Sequence, residues 1–225
     1  MANPNTRTTN GMREDFFLKY STANIPNSKD EDRIYCNLSH IEISHPDISS
    51  FAIFDGHGGS VAAEILHKYL HNVLLKKYSE IIKESVSASP ECSRTDESKA
   101  LIDFDHVICE AIKHTYKKVD SEIRRVSDHG STAVSIFIKH NENGSKRVYC
   151  CWVGDSRCVM YQSTEIGNLS THMSEDHKPT LRREKERIKR RLTPWRKIPF
   201  EVHRGSDSFE VDAQEEVRCF VWLYM

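Results

Sequence analysis

Residues 51–59 read F-A-I-F-D-G-H-G-G, four apolar residues running into an acid, a glycine, a histidine and two more glycines. The continuous apolar run from Ser50 to Phe54 predicts a buried strand. Behind the glycines, Val61, Ile65, Leu66, Tyr69, Leu70, Val73 and Leu74 recur at helical spacing, and the pattern fades near Lys83. A strand, a glycine-rich turn and a long amphipathic helix in succession limit the fold to one in which helices cover a sheet.

The rest of the chain agrees. Arg33 to Leu38 alternates apolar and polar residues and is a candidate strand. A second amphipathic helix carries Leu101, Phe104, Ile108, Ile112, Val119 and Ile123, after an exposed Ser- and Glu-rich loop over 85–99. The texture then changes. Thr132 to Ile138 and Arg147 to Val153 are strand-like and flank a turn cluster at 141–145. Gly154-Asp155-Ser156-Arg157 is a tight turn leading to another strand, Cys158 to Gln162. The predicted class is α+β, a β-sandwich flanked by helices on both faces (α-β-β-α) and incomplete at the C-terminus. Residues 1–14, rich in Asn and Thr, read as a disordered lead-in. The domain is expected over 15–190, followed by a divergent tail over 191–225.

Composition narrows the function classes. The 225 residues are 38% hydrophobic and 29% charged, ordinary for a soluble globular protein, with a formal net charge of -1. No bulk field favours nucleic acid or an anionic membrane. The basic run T-L-R-R-E-K-E-R-I-K-R-R from Thr180 reads as a solvated helix, and basic and aromatic residues are not interleaved as in nucleic-acid binders. No apolar run approaches the roughly eighteen residues a bilayer span needs, and Met1 to Arg13 lacks a secretory apolar core. The seven cysteines are odd in number, with no C-x-x-C pair. They read as reduced thiols of an intracellular protein, cytoplasmic or nuclear, rather than a zinc site.

Asp55 ends a buried strand and precedes a glycine, which places a carboxylate at the sheet edge and lets a backbone carbonyl approach a ligand closely. Glu31 and Asp32 precede another candidate strand. If the two strands pair, three carboxylates meet at one end of the sheet, a repulsive arrangement that a hard divalent cation such as Mg²⁺ or Mn²⁺ relieves. Taken alone, these residues allow both a turn and a metal site. His57 is either a loop histidine capping a carbonyl or the following helix, or a general acid whose pKa lies near working pH. The phosphate-loop, dinucleotide and hydrolase-elbow motifs are absent.

Five segments in order then resemble the metal-dependent (type 2C) protein serine/threonine phosphatases: K-D-E-D-R at 29–33, F-A-I-F-D-G-H-G-G, G-S-T-A-V at 130–134, W-V-G-D-S-R at 152–157, and S-E-D-H-K-P at 174–179 followed by E-K-E-R-I. The resemblance implies two Mg²⁺ or Mn²⁺ ions bridged by Asp55, with Gly56 giving its backbone carbonyl to one, Glu31 ligating the same ion and Asp32 holding its waters. It implies that His57 protonates the departing Ser or Thr oxygen of a phosphoprotein substrate. The 130–133 and 154–157 segments are then structural, with Asp155 and Arg157 tied to backbone, and the chain acts as a monomer.

Two departures from the family pattern bear on activity. The family's phosphate-binding cation falls at Asn27, with Lys29 nearby but offset. The family's later aspartates, which complete one metal position, find no match in Lys189 to Met225, because Asp207 and Asp212 stand in other contexts. A chain holding about the first two-thirds of the domain is therefore expected, either an enzyme or a non-catalytic, degenerate phosphatase fold acting as a binding or regulatory protein.

Overall fold

A computed structural model describes residues 7–13, 18–25, 29–39, 47–87, 104–141, 144–164, 167–192 and 218–224. In chain order the elements are β1 (Arg7–Arg13), β2 (Leu18–Asn24), β3 (Arg33–Asn37), β4 (Ile48–Phe54), β5 (Gly56–His57), α1 (Val61–Ser87), α2 (Phe104–Val126), β6 (Gly130–Ser131), β7 (Ala133–His140), β8 (Lys146–Val153), β9 (Val159–Thr164), β10 (Gly167–His172), α3 (Arg182–Leu192) and β11 (Arg218–Tyr224). The α+β class with antiparallel sheets matches the expectation.

The central sheet has five strands in the order β11-β8-β7-β4-β3, all paired antiparallel. Alternation along β4 sends Ile48, Ala52 and Phe54 to one face and Phe51 and Ile53 to the other. The first face is covered by α1 and α2. Ala62, Leu66, Leu70, Leu74 and Tyr78 recur every fourth residue of α1 and are buried, as are Ile108, Ile112, Tyr116 and Val119 of α2. All of these but Ala62 meet Phe54, Phe137 and Tyr149 in one core cluster. Fully burying a side chain such as Leu70 or Leu74 contributes about 1.5–3 kcal/mol. At the far end from the glycine-rich turn, the two layers are joined by polar contacts. Arg147 Nη1 donates to both Asp105 oxygens (2.9 and 2.8 Å), and the Tyr149 hydroxyl donates to one of them (2.8 Å).

The second face is more open. Val134, Cys150, Trp152, Cys158 and Met173 form a smaller cluster there. Beside it runs a groove of about 410 Å³, floored by residues such as Phe51, Ile53 and Ile136 and walled by Tyr20–Ala23 of β2. The Tyr20 and Phe51 rings meet at 5.5 Å. Trp152 Nε1 donates to the Glu175 carbonyl (2.8 Å), and Arg183 of α3 pairs with the Glu175 carboxylate (2.7 Å), so α3 is anchored on this side.

Three places differ from the sequence reading. Arg7–Arg13, within the stretch read as a disordered lead-in, is a strand in register with β2 from Arg7↔Asn24 to Arg13↔Leu18. The Thr9 and Thr22 hydroxyls share a 2.6 Å hydrogen bond across the pair, so a polar composition did not preclude a hairpin. The β9–β10 hairpin was only half anticipated, because β10 is almost wholly exposed and has no apolar alternation to reveal it. The apolar terminus extends the sheet as β11 beside β8, from Arg218↔Trp152 to Tyr224↔Lys146. Asn27, Leu101, most of the 85–99 loop, Asp207 and Asp212 lie outside the described residues.

Candidate metal centre

Asp55 is the first residue beyond β4, and its backbone is fixed from both sides. Its N–H donates to Thr132 Oγ1 (3.2 Å), and its carbonyl accepts from the Thr132 N–H (2.9 Å). Thr132 Oγ1 in turn shares a 2.5 Å hydrogen bond with Ser156 Oγ. The ends of β4 and β7 and the 154–157 turn are thereby clipped together, leaving the Asp55 carboxyl exposed.

The Asp55 carboxyl faces the charges of Asp32 and Asp155. Partial burial, then the charges of Asp32 and Asp155, push its pKa above the usual carboxylate range, while His57 opposes the shift. The segment bearing Glu31 and Asp32 is held close by Gly56. A Cβ there would sit 2.5 Å from the Glu31 carbonyl oxygen, so only glycine permits this approach. Arg33 braces the same segment, donating to the carbonyls of Asp30 and Asp32 (2.7 Å each) and to Glu64 Oε1 in the first turn of α1 (2.8 Å). Glu31 itself is buried and Asp32 half-buried.

His57 is exposed and lies on β5, paired with Gly130 of β6. Its ring rests directly on Gly130, where an added Cβ would fall 2.1 Å from Nε2. The capping of α1 that a loop histidine can supply comes from another residue. The Val61 N–H donates to His129 Nδ1 (3.3 Å), and the His129 ring packs over Gly59 at a backbone φ of 140°. His129 carries no motif in the sequence and was missed there. Gly130, assigned only to a structural strand end, is the seat of His57.

Asp155 and Arg157 pair with other side chains rather than with backbone, contrary to the sequence reading. Arg157 makes two parallel bonds to Asp176 (2.8 and 2.7 Å), and Lys178 reaches both Asp155 and Asp176 at 3.3 Å. Asp155 thus pairs with Lys178 and faces Asp55, a place that its own segment does not reveal.

The donor set is made of carboxylate and carbonyl oxygens, which suits a hard divalent cation. The like charges around Asp55 are what such an ion would relieve. Among the described residues, however, no three His, Cys, Asp or Glu side chains close on one point. The arrangement therefore fits an ion held by one or two carboxylates that keeps several waters, as Mg²⁺ commonly does.

The family model for protein phosphatase 2C matches residues 26–193. The chain belongs to the protein phosphatase 2C family. Among its relatives, Probable protein phosphatase 2C 52 of Oryza sativa subsp. japonica is 31% identical over 180 residues, covering 78% of this chain and 30% of that protein. Probable protein phosphatase 2C 7 from the same plant is 34% identical, covering 68% and 33%. Protein phosphatase 2C 1 of Paramecium tetraurelia is 32% identical, covering 64% and 43%. The chain spans about a third of the length of the rice relatives it matches. A solved structure described as a C.elegans sex determining protein aligns with a TM-score of 0.47 and 21% identity, covering 82% of this chain and 37% of that one.

Proposed function

We propose that the chain hydrolyses phosphoserine and phosphothreonine esters in proteins with the help of a divalent cation. The observation that supports this most is that the Asp55 carboxyl faces the charges of Asp32 and Asp155, at the end of a buried strand in a protein phosphatase 2C chain. Asp55 and one of Asp32 and Glu31, with the Gly56 carbonyl, would hold Mg²⁺ or Mn²⁺ and the waters around it. Such an ion, when bound, offsets charge on the phosphoryl oxygens and makes water more acidic. Asp55 and Asp32 orient the attacking water in line with the phosphorus. His57, steadied on Gly130, gives a proton to the departing Ser or Thr oxygen. Reduced thiols at Cys36, Cys109, Cys150, Cys151 and Cys158 agree with an intracellular setting. No described helix is long and apolar enough to cross a membrane.

A non-catalytic role in binding phosphoproteins is the second reading. It is favoured by the lack, among the described residues, of three ligating side chains around one point. Assay of the full chain on an aryl phosphate and on a phosphopeptide, with Mn²⁺ and with chelator, separates the two. Manganese-dependent turnover that chelator abolishes is expected, whereas binding of phosphopeptide without turnover would establish the second reading.

A further inference from the structure

Two histidines from distant segments meet in one glycine-rich arc, 57–61. At its first end Gly56 and His57 pair with Ser131 and Gly130, so β6 holds the arc where it leaves Asp55. At its other end α1 begins, and there the Val61 N–H donates to His129 Nδ1 (3.3 Å). Between the two ends, Gly58 and Gly59 take φ of 75° and 140°, conformations that favour glycine. The His129 ring fills the space over Gly59, where a Cβ would fall 2.0 Å from Cε1. Residues 129–131 therefore hold the arc at both ends, by backbone pairing at His57 and by the His129 ring at Val61.

His129 is itself anchored. Its N–H donates to Ser127 Oγ (3.0 Å), and the Ser127 N–H donates to the Ile123 carbonyl (2.9 Å), continuing the last turn of α2. For Nδ1 to accept, the ring proton must sit on Nε2, which lies 3.9 Å from an Asp128 carboxylate oxygen. The first turn of α1 also carries Glu64, the partner of Arg33 (2.8 Å) beside Glu31 and Asp32. The start of α1 is thus tied to His57 on one side and to the carboxylate-bearing segment on the other.

We propose that His129 is a positioning residue for His57. By accepting from Val61 through Nδ1 and packing over Gly59, it fixes the arc 57–61 and with it the place of the His57 ring on Gly130. Its bearing on catalysis rests on the reading of His57 as proton donor to the departing Ser or Thr oxygen. His129 itself transfers no proton and acts only through the arc. The arrangement requires an acceptor at the place of Nδ1. Asparagine supplies one, because its side-chain oxygen stands as many bonds from the backbone as Nδ1 does. The glutamine oxygen lies one bond farther out, at the place of Nε2, and misses the Val61 N–H.

The test compares the full chain with His129→Asn, His129→Gln and His129→Ala by NMR and by kinetics with Mn²⁺. In the Gln and Ala variants the Val61 amide should exchange about tenfold faster than in the wild type, and the His57 ring signals should shift. Their kcat on a phosphopeptide should fall about tenfold with KM unmoved, and the loss on an aryl phosphate should be smaller. His129→Asn should restore the wild-type Val61 exchange, His57 signals and kcat. An Asn variant as impaired as the Gln variant, or Val61 exchange and His57 signals that are the same in all four proteins, overturns the proposal. A wild type without turnover overturns the hydrolysis reading alone, and the Val61 and His57 signals then decide whether His129 positions His57. Nitrogen NMR of the wild-type imidazoles decides even where a variant fails to fold: His129 should carry its proton on Nε2, and a proton on Nδ1 of the neutral ring overturns the proposal.

Discussion

Asp55 and Asp176 flank the same turn, 154–157, and their carboxyls are driven in opposite directions. At Asp176, two bonds from Arg157 and the nearby Lys178 ammonium hold the carboxyl well below the usual range. At Asp55, partial burial and the charges of Asp32 and Asp155 push it up. One carboxylate has its cations supplied by the chain, and the other faces mainly like charges, with His57 opposing them. A neutralised carboxylate holds a turn in place. A cluster of uncompensated ones is costly to keep, which is characteristic of sites whose partner comes from outside.

The largest expected effect comes from exchanging each acid for its amide. Asp55→Asn should lower manganese-dependent hydrolysis on the order of 10²–10³-fold, while Asp176→Asn leaves it nearly unchanged. Thermal melts should show the reverse. Asp176→Asn loses an ion pair whose Arg157 side is exposed, so Tm falls by at most about 3 °C, and Asp55→Asn does not lower Tm. Equal effects of the two variants on both readouts would erase the distinction. Next comes Gly130→Ala, which removes the seat of His57. Turnover of a phosphopeptide should fall on the order of 10²-fold, with a much smaller loss on an aryl phosphate, whose leaving group needs no proton. A uniform loss on both substrates would argue against His57 as the acid.

Two smaller effects sharpen the contrast. Lys178→Met strips Asp155 of its cation and adds uncompensated charge opposite Asp55, so Mn²⁺ affinity should rise about two- to fivefold by calorimetry. An unchanged or weaker affinity would place Asp155 outside the site's field. The last effect is a pH dependence at Asp176. Its pKa is lower folded than unfolded, so the ion pair stabilises fully above the unfolded value of about 3.9 and is lost as pH falls through the folded value. The urea-midpoint gap between wild type and Asp176→Asn should stay constant from about pH 7 to pH 5 and shrink below about pH 4. A gap that widens on acidification would reverse the sign.

Local periodicity made β4, α1, β7 and β8 readable, because one face of each is buried against the core and its apolar residues recur at the matching spacing. β1 and β10 carry no such stripe. Their stability lies in cross-strand pairing, which depends on a partner that composition does not reveal. The candidate site divides in the same way. Asp55, Gly56 and His57 adjoin one another in sequence and could be singled out there. Asp155, Gly130 and His129 come from distant segments, and only the pairing of β5 with β6 and the Thr132–Ser156 bond bring them to Asp55 and His57. Arg33 is a similar case, since its function rests on reaching Glu64 in α1.

The central claim is that the carboxylates around Asp55 hold a divalent cation. Its most direct test is calorimetric titration of the full chain with Mn²⁺, alongside Asp55→Asn and Asp32→Asn. The account predicts saturable binding to the wild type that is lost in Asp55→Asn and weakened in Asp32→Asn. An absence of binding to the wild type, or equal affinity in all three proteins, would contradict it.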